Sequence, residues 1–280
     1  MFLESTFLIL SQKIPFQIIP IEGPSLKEAF NLRLDMLRLL DMKFLHGCLR
    51  PTICILYEDN RRNRHIKTSV IDMREKELAP GPWAQTNVEH GARLLIPVPS
   101  PTNGVILVGE TTITYLSGTG NVQSVAMQST QISSYGIINS DGSRFLLGDH
   151  RGILYVLVLM KEQGVVKSVM LDIAGTTSIS ETLSYLDNGV VFVGSAYGDS
   201  QLIRLNSEPD ETGSSVEVLD THMNIGPVLD MCVVASERQG QCHVVTCSGA
   251  YKDGSLRVIR SGIGIHEQVT SLIAFIFMHA

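Results

Sequence analysis

The sequence predicts an all-β chain folded as a partial β-propeller of about four to five blades. The main observation is a recurring phrase: an apolar run, a Gly or Ser, a short polar turn with a second Gly, then another alternating run. It reads FLLGDHRGILYVLVL at 145–159, VVFVGSAYGDSQLIRL at 190–205 and HVVTCSGAYKDGSLRVIR at 243–260. VILVGETTITYL at 105–116 is a copy without the second Gly, and ICILYEDNRRNRHIKTSVI at 53–71 keeps the outline with a charged turn. The runs begin roughly 40 to 55 residues apart, the repeat length of four-stranded blades. No segment sustains a helical period over about three turns.

In chain order, residues 16–21, 30–34, 39–45 and 53–57 are short apolar or alternating runs bounded by turn residues, and each reads as a strand. Pro80-Gly81-Pro82 reads as a hard break before Trp83, the only tryptophan. A strand at 94–98 leads through Pro97, Pro99 and Pro101 to the next one. Residues 139–143, 187–189 and 252–254 are Asn-, Asp- and Gly-bearing hairpin turns, and 209–215 is a polar surface loop. Blades alternate with neighbouring sheets, so the runs at 190–194 and 244–248 are expected to be buried on both faces around an apolar, packed axis. An incomplete ring leaves open sheet edges, which implies a larger array or a partner that closes it.

Hydrophobic residues make up 44% of the 280 and charged residues 18%, which excludes a disordered chain. The net charge is −6. Arg61, Arg62 and Arg64 are the one local basic cluster, and Glu58 and Asp59 flank them in what reads as a solvated hairpin turn. Autonomous nucleic-acid binding is therefore disfavoured. Five cysteines at no framework spacing suit a reducing compartment. The opening MFLESTFLIL lacks a basic n-region and carries Glu4, and the apolar tail at 269–280 is too short to span a bilayer. The expectation is a soluble, intracellular protein with no membrane contact.

Cys242, His243 and Cys247 lie close together, but a zinc site wants four ligands and no second pair exists. The glycine pairs Gly118/Gly120 and Gly262/Gly264 open no helix and read as turns rather than phosphate cradles. Asp149 with His150, and Asp199 with Ser200, sit in the repeating turn, where such side chains bond the local backbone. No cofactor, metal or catalytic residue is expected. The more promising surface joins Tyr185, Asp187 and Asn188 with Ala196 and Tyr197, because Tyr offers a large apolar face with a polar tip.

Those same residues carry a family resemblance. SYLDNGVVFVGSAYGDSQLIRLN at 184–206, NIGPVLDMCVV at 224–234 and ERQGQCHVVTCSGAYKDGSLRVIRSGIGIHE at 237–267 closely resemble the large subunits of damage-specific DNA-binding proteins. HGCLRPTICILYED at 46–59, the segment at 74–83 and DGSRFLLGD at 141–149 match too. Large subunits of the splicing and pre-mRNA cleavage complexes share the CSGxxxxGSLR phrase but not the SYLDNGVVFVGS string.

The resemblance implies a seven-bladed, WD40/YVTN-like propeller. Residues 16–268 would be the later part of the family's first propeller, flanked by a divergent segment at 1–15 and a divergent apolar tail at 269–280. Family members are triple-propeller adaptors of cullin-4 ubiquitin ligases, which grip a helical segment of interchangeable substrate receptors. The implied function is a non-enzymatic adaptor in ubiquitin-dependent turnover and DNA-damage repair, in nucleus and cytoplasm. It would be a truncated form lacking the cullin-docking propeller and would meet DNA only indirectly. By position, the docking residues would be Tyr185, Asp187, Asn188, Pro227, Val228, Ala250 and Tyr251, with Ala196 and Tyr197 at receptor-facing positions that vary in the family. The competing expectations are direct binding of damaged nucleic acid and an enzyme with a propeller-face site, which predicts a polar, His- and Asp-lined central channel.

Overall fold

A computed structural model describes residues 7–10, 16–22, 24–34, 38–211, 213–235 and 242–260. The tail expected at 269–280, the Gly262/Gly264 turn and most of the divergent segment at 1–15 lie outside the described residues. The described chain is a succession of six antiparallel sheets, more than the four to five blades counted from the repeat, because the irregular first sheet carries no copy of the phrase. Sheet I holds β1 (Phe7–Leu10), β2 (Phe16–Glu22), β3 (Ser25–Leu26) and β4 (Phe30–Leu32). Sheet II runs in order through β5 (Arg38–Phe44), β6 (Thr52–Glu58), β7 (Arg64–Asp72) and β8 (Glu77–Val88). Sheet III follows with β9 (Leu94–Pro97), β10 (Val105–Val108), β11 (Thr112–Leu116) and β12 (Val122–Ala126). Sheet IV holds β13 (Ile132–Ile137), β14 (Arg144–Asp149), β15 (Ile153–Glu162) and β16 (Val165–Thr176). Sheet V holds β17 (Thr182–Asp187), β18 (Val190–Gly194), β19 (Ser200–Leu205) and β20 (Val216–His222). Sheet VI has three described strands, β21 (Val228–Ala235), β22 (Cys242–Ser248) and β23 (Ser255–Arg260). This is an all-β partial propeller.

The apolar runs are continuous because successive side chains serve different layers. On β14, Phe145 and Leu147 point into the layer shared with sheet III, while Leu146 points into the layer shared with sheet V. On β6, Ile53 and Ile55 face sheet I, and Cys54 and Leu56 face sheet III. Burial of this kind contributes about 1.5–3 kcal/mol per large side chain. First strands pack on first strands, β5 beside β9 and β13 beside β17, which places them around the axis.

Three expectations are corrected. Pro80-Gly81-Pro82 does not break the chain, because β8 runs straight through it. β8 is an edge strand, where a missing N–H is tolerated. The register jumps there from Ser69↔Pro80 to Lys67↔Ala84, and the Thr68 hydroxyl closes the gap. It donates to the Trp83 carbonyl at 2.6 Å and accepts from the Trp83 N–H at 3.1 Å. The run at 244–248 is not buried on both faces: Cys247 is exposed, as are Leu229, Met231, Leu256 and Val258 around it. Among the described residues no further sheet covers that side of sheet VI. The axis, finally, is not packed: it holds a cavity with a mixed polar and apolar wall.

Candidate functional site

In sheets II to VI the antiparallel order puts the connection from second to third strand at the end where the chain arrives from the previous sheet. Sheets V and VI bring three such segments together: the β18–β19 loop, the 223–227 crossing, and the β22–β23 loop with its 3-10 turn Tyr251–Asp253. The Ala250 N–H donates to the Tyr197 carbonyl at 2.9 Å, and the Gly249 N–H to the Pro227 carbonyl at 3.0 Å. Gly249 sits at φ +78°, and a Cβ there would lie 2.4 Å from the Asp253 carbonyl oxygen and 2.8 Å from that of Tyr197. Only glycine permits both the angle and the approach.

Asn224 fastens the third segment. Its side-chain NH₂ donates to the Ser195 and Gly198 carbonyls, and its own N–H donates to Asp199 Oδ1 at 2.8 Å. Arg257 on β23 completes the lock with a 2.7 Å ion pair to Asp199, both side chains three-quarters buried or more. Burial pushes the Asp199 carboxyl up, but the hydrogen bonds from Arg257 and Asn224 outweigh it and hold the group below the usual carboxylate range. On this frame the Tyr251 ring stands edge-on to Tyr197, centroids 5.6 Å apart, and is 82% exposed. Val228 and Ala196 are exposed beside the half-buried Pro227 and Ala250. The product is a rigid, mixed apolar and aromatic rim.

Of the sequence-expected residues, Ala196, Tyr197, Pro227, Val228, Ala250 and Tyr251 therefore share one surface. Tyr185, Asp187 and Asn188 do not. They form the β17–β18 hairpin at the other end of β18, roughly 15–20 Å along the strand direction. Asn188 and Gly189 take φ of 49° and 79°, the two-residue turn that an Asn-Gly pair favours. Tyr185 accepts the Gly189 N–H at 3.0 Å, and its half-buried ring packs on the layer between sheets IV and V. Asp187 accepts the N–H of Asn188 at 2.8 Å. This trio holds its own turn.

Sequence reasoning missed an axial cavity of about 870 Å³ where the first strands of sheets II to V converge beneath the rim. Leu40, Leu94, Ile132 and Ile179 contribute apolar lining and Asp41, Arg93, His150, Arg151, Glu181 and Lys252 polar lining, so its wall is mixed. The signal was present in the repeat: the turn carrying His150 and Arg151 occupies the same blade position as the one carrying Ala196 and Tyr197.

The remaining constellations are structural. Asp149, fully buried, accepts the N–H groups of Arg151 and Ile153 at 2.9 and 2.7 Å and the Thr130 hydroxyl at 2.8 Å. Among the described residues no three His, Cys, Asp or Glu side chains could hold a metal ion. Burial pushes the Cys54 thiol up to about 12, an unreactive state. Arg64 donates inward to the Ala92 carbonyl at 2.7 Å, which leaves Arg61 and Arg62 alone at the turn surface. Asp59 holds that turn through the N–H groups of Arg61 and Asn63, both at 2.8 Å. Among the described residues no helix is long and apolar enough to cross a membrane.

Residues 10–224 match the family described as RSE1/DDB1/CPSF1 first beta-propeller. DNA damage-binding protein 1 of Solanum lycopersicum and DNA damage-binding protein 1b of Arabidopsis thaliana are each 52% identical over 256 residues, 91% of this chain and 23% of the relative. DNA damage-binding protein 1 of Oryza sativa subsp. japonica is also 52% identical over 256 residues, with 24% of its length covered. The chain thus spans about a quarter of the length of the curated relatives it matches.

Proposed function

The chain belongs to the RSE1/DDB1/CPSF1 first beta-propeller family, and from that premise we propose that it is a docking scaffold for other proteins. The rim of Tyr197, Pro227, Val228, Ala250 and Tyr251 takes a helical segment of a substrate-receptor protein. One observation carries this reading: an 82% exposed tyrosine is held at a fixed angle by loops whose backbones are locked to one another. A ligand does not have to pay to order such a surface, and aromatic anchors on rigid supports dominate binding energy. Ala196 sets selectivity at the rim's edge. The Asp187–Asn188 turn is a second contact, reached only by a partner long enough to run down the side of sheet V.

In this reading the scaffold is non-enzymatic and serves ubiquitin-dependent turnover and the DNA-damage response, in nucleus and cytoplasm. Contact with cullin-4 would run through propellers outside these 280 residues. DNA is met through the receptor partner. The names of the relatives favour some tie to damaged DNA, but a net charge of −6 and an inward-turned Arg64 argue against a direct phosphate interface.

The test is fluorescence anisotropy with a labelled receptor-derived helical peptide and the purified full chain. Micromolar binding is expected, and Tyr251→Ala should weaken it roughly 30-fold, the equivalent of about 2 kcal/mol. Equal affinity for wild type and the Tyr251→Ala, Pro227→Ala double variant would overturn the assignment.

A further inference from the structure

We propose that the axial cavity is a binding site for a small polyanion, a ligand carrying two or more phosphate or carboxylate groups. Its volume of about 870 Å³ lies within the range of small-molecule sites, and its walls are the rigid first strands of four successive sheets. Three cations reach it from three different sheets: Arg93 just before β9, Arg151 in the β14–β15 turn, and Lys252 in the β22–β23 loop. Cations so far apart in sequence are not a solvated charge run. The fold brings them together.

Each is steadied by neighbouring acceptors, Arg151 by both Asp149 and Tyr155, and keeps further donors. Arg93 Nη1 donates to Gln131 Oε1 at 3.1 Å, Arg151 Nε to Asp149 Oδ2 at 3.3 Å, and Lys252 Nζ to the Thr177 carbonyl at 2.5 Å. Both guanidinium groups thus keep terminal nitrogens for the paired oxygens of a phosphate or carboxylate.

The nearby acids are already engaged by backbone donors. Asp149 accepts two N–H groups and a hydroxyl, as described above, and Asp253 accepts the Ile179 N–H at 2.9 Å. Asp41 accepts the N–H groups of Leu95 and Met42, both at 2.8 Å, and lies 3.7 Å from Lys43 Nζ. Glu181 is the one other carboxylate of the lining, so two acids face three cations, of which Arg151 is also ion-paired to Asp149. Tyr197 and Tyr251 close one wall, so the cavity opens beside the rim.

Isothermal titration of the full chain with inorganic tripolyphosphate and, separately, with citrate tests the site and distinguishes its two chemical sources. Binding with a dissociation constant below about 1 mM is expected from at least one of them, weakening as salt rises. The Arg151→Gln, Lys252→Gln double variant should bind at least tenfold more weakly than wild type. The Arg74→Gln, Arg144→Gln double variant removes the same charge from the opposite end of the sheets and should bind like wild type. Absence of binding by both probes, or an equal loss in the two double variants, would overturn the proposal. Should the first variant unfold early, Arg93→Gln takes its place with the same expected loss.

Discussion

Gly249 and Asp199 show how single residues build the rim. Alanine at 249 would have to hold a left-handed φ and push against two carbonyl oxygens, so Gly249→Ala should lower stability by about 2 kcal/mol, read as a lower urea midpoint. Asp199, with its carboxyl held low in the folded chain, contributes stability above the ordinary carboxylate range that is lost as pH falls through its folded value. Asp199→Asn should therefore cost about 1 kcal/mol at pH 6, and the gap to wild type should narrow as urea melts are taken below the ordinary carboxylate range. Glu89 is a third keystone. Its carboxylate accepts the N–H groups of Glu110, Thr111 and Thr112 and both threonine hydroxyls, so Glu89→Ala should destabilise the β10–β11 turn by about 2 kcal/mol in the same assay. Little of this was legible in sequence. Gly249 could be read as a turn glycine, but that its Cα faces the Tyr197 carbonyl depends on a loop 52 residues away in the chain, 249 minus 197.

At the scale of elements, four apolar layers join sheets I to V, whereas sheet VI is joined to sheet V largely by polar bonds. These are the Asp199–Arg257 pair, the Ala250 to Tyr197 bond and the Lys252 to Thr177 bond. Sheet VI should open first. Native-state hydrogen exchange should find amides of β22 and β23 exchanging well before those of β14 and β15, and Phe145→Ala should cost about 3–5 kcal/mol while Val258→Ala costs under 1. Strands in the repeat were readable because Val, Ile and Leu runs buried on both sides leave a strong mark. β8 was not, since Pro80 and Pro82 forbid a central strand and nothing local says that this strand lies at an edge. The exposure of Cys247 was likewise invisible, because it depends on what stands beyond sheet VI rather than on its own residues.

For the molecule as a whole, the order of sheets follows the order of the chain, so the repeat gave the succession of blades, though not β8 or the full number of sheets. What the repeat did not declare is which end of a blade each turn occupies. Tyr185 and Tyr197 are neighbours in sequence and belong to one short motif, yet β18 carries them to opposite ends of sheet V. The axial cavity escaped notice for a related reason, since Arg93, Arg151 and Lys252 meet only once the sheets are arrayed around a common axis. Partner docking at the rim is the central claim, and the most direct test maps where a partner lands. Hydrogen exchange of the full chain should be compared with and without a saturating receptor-derived helical peptide. Protection confined to the 195–199 and 249–254 loops, with the 187–189 turn unchanged, is the expected result. Protection at 187–189 alone, or none in either place, would contradict it.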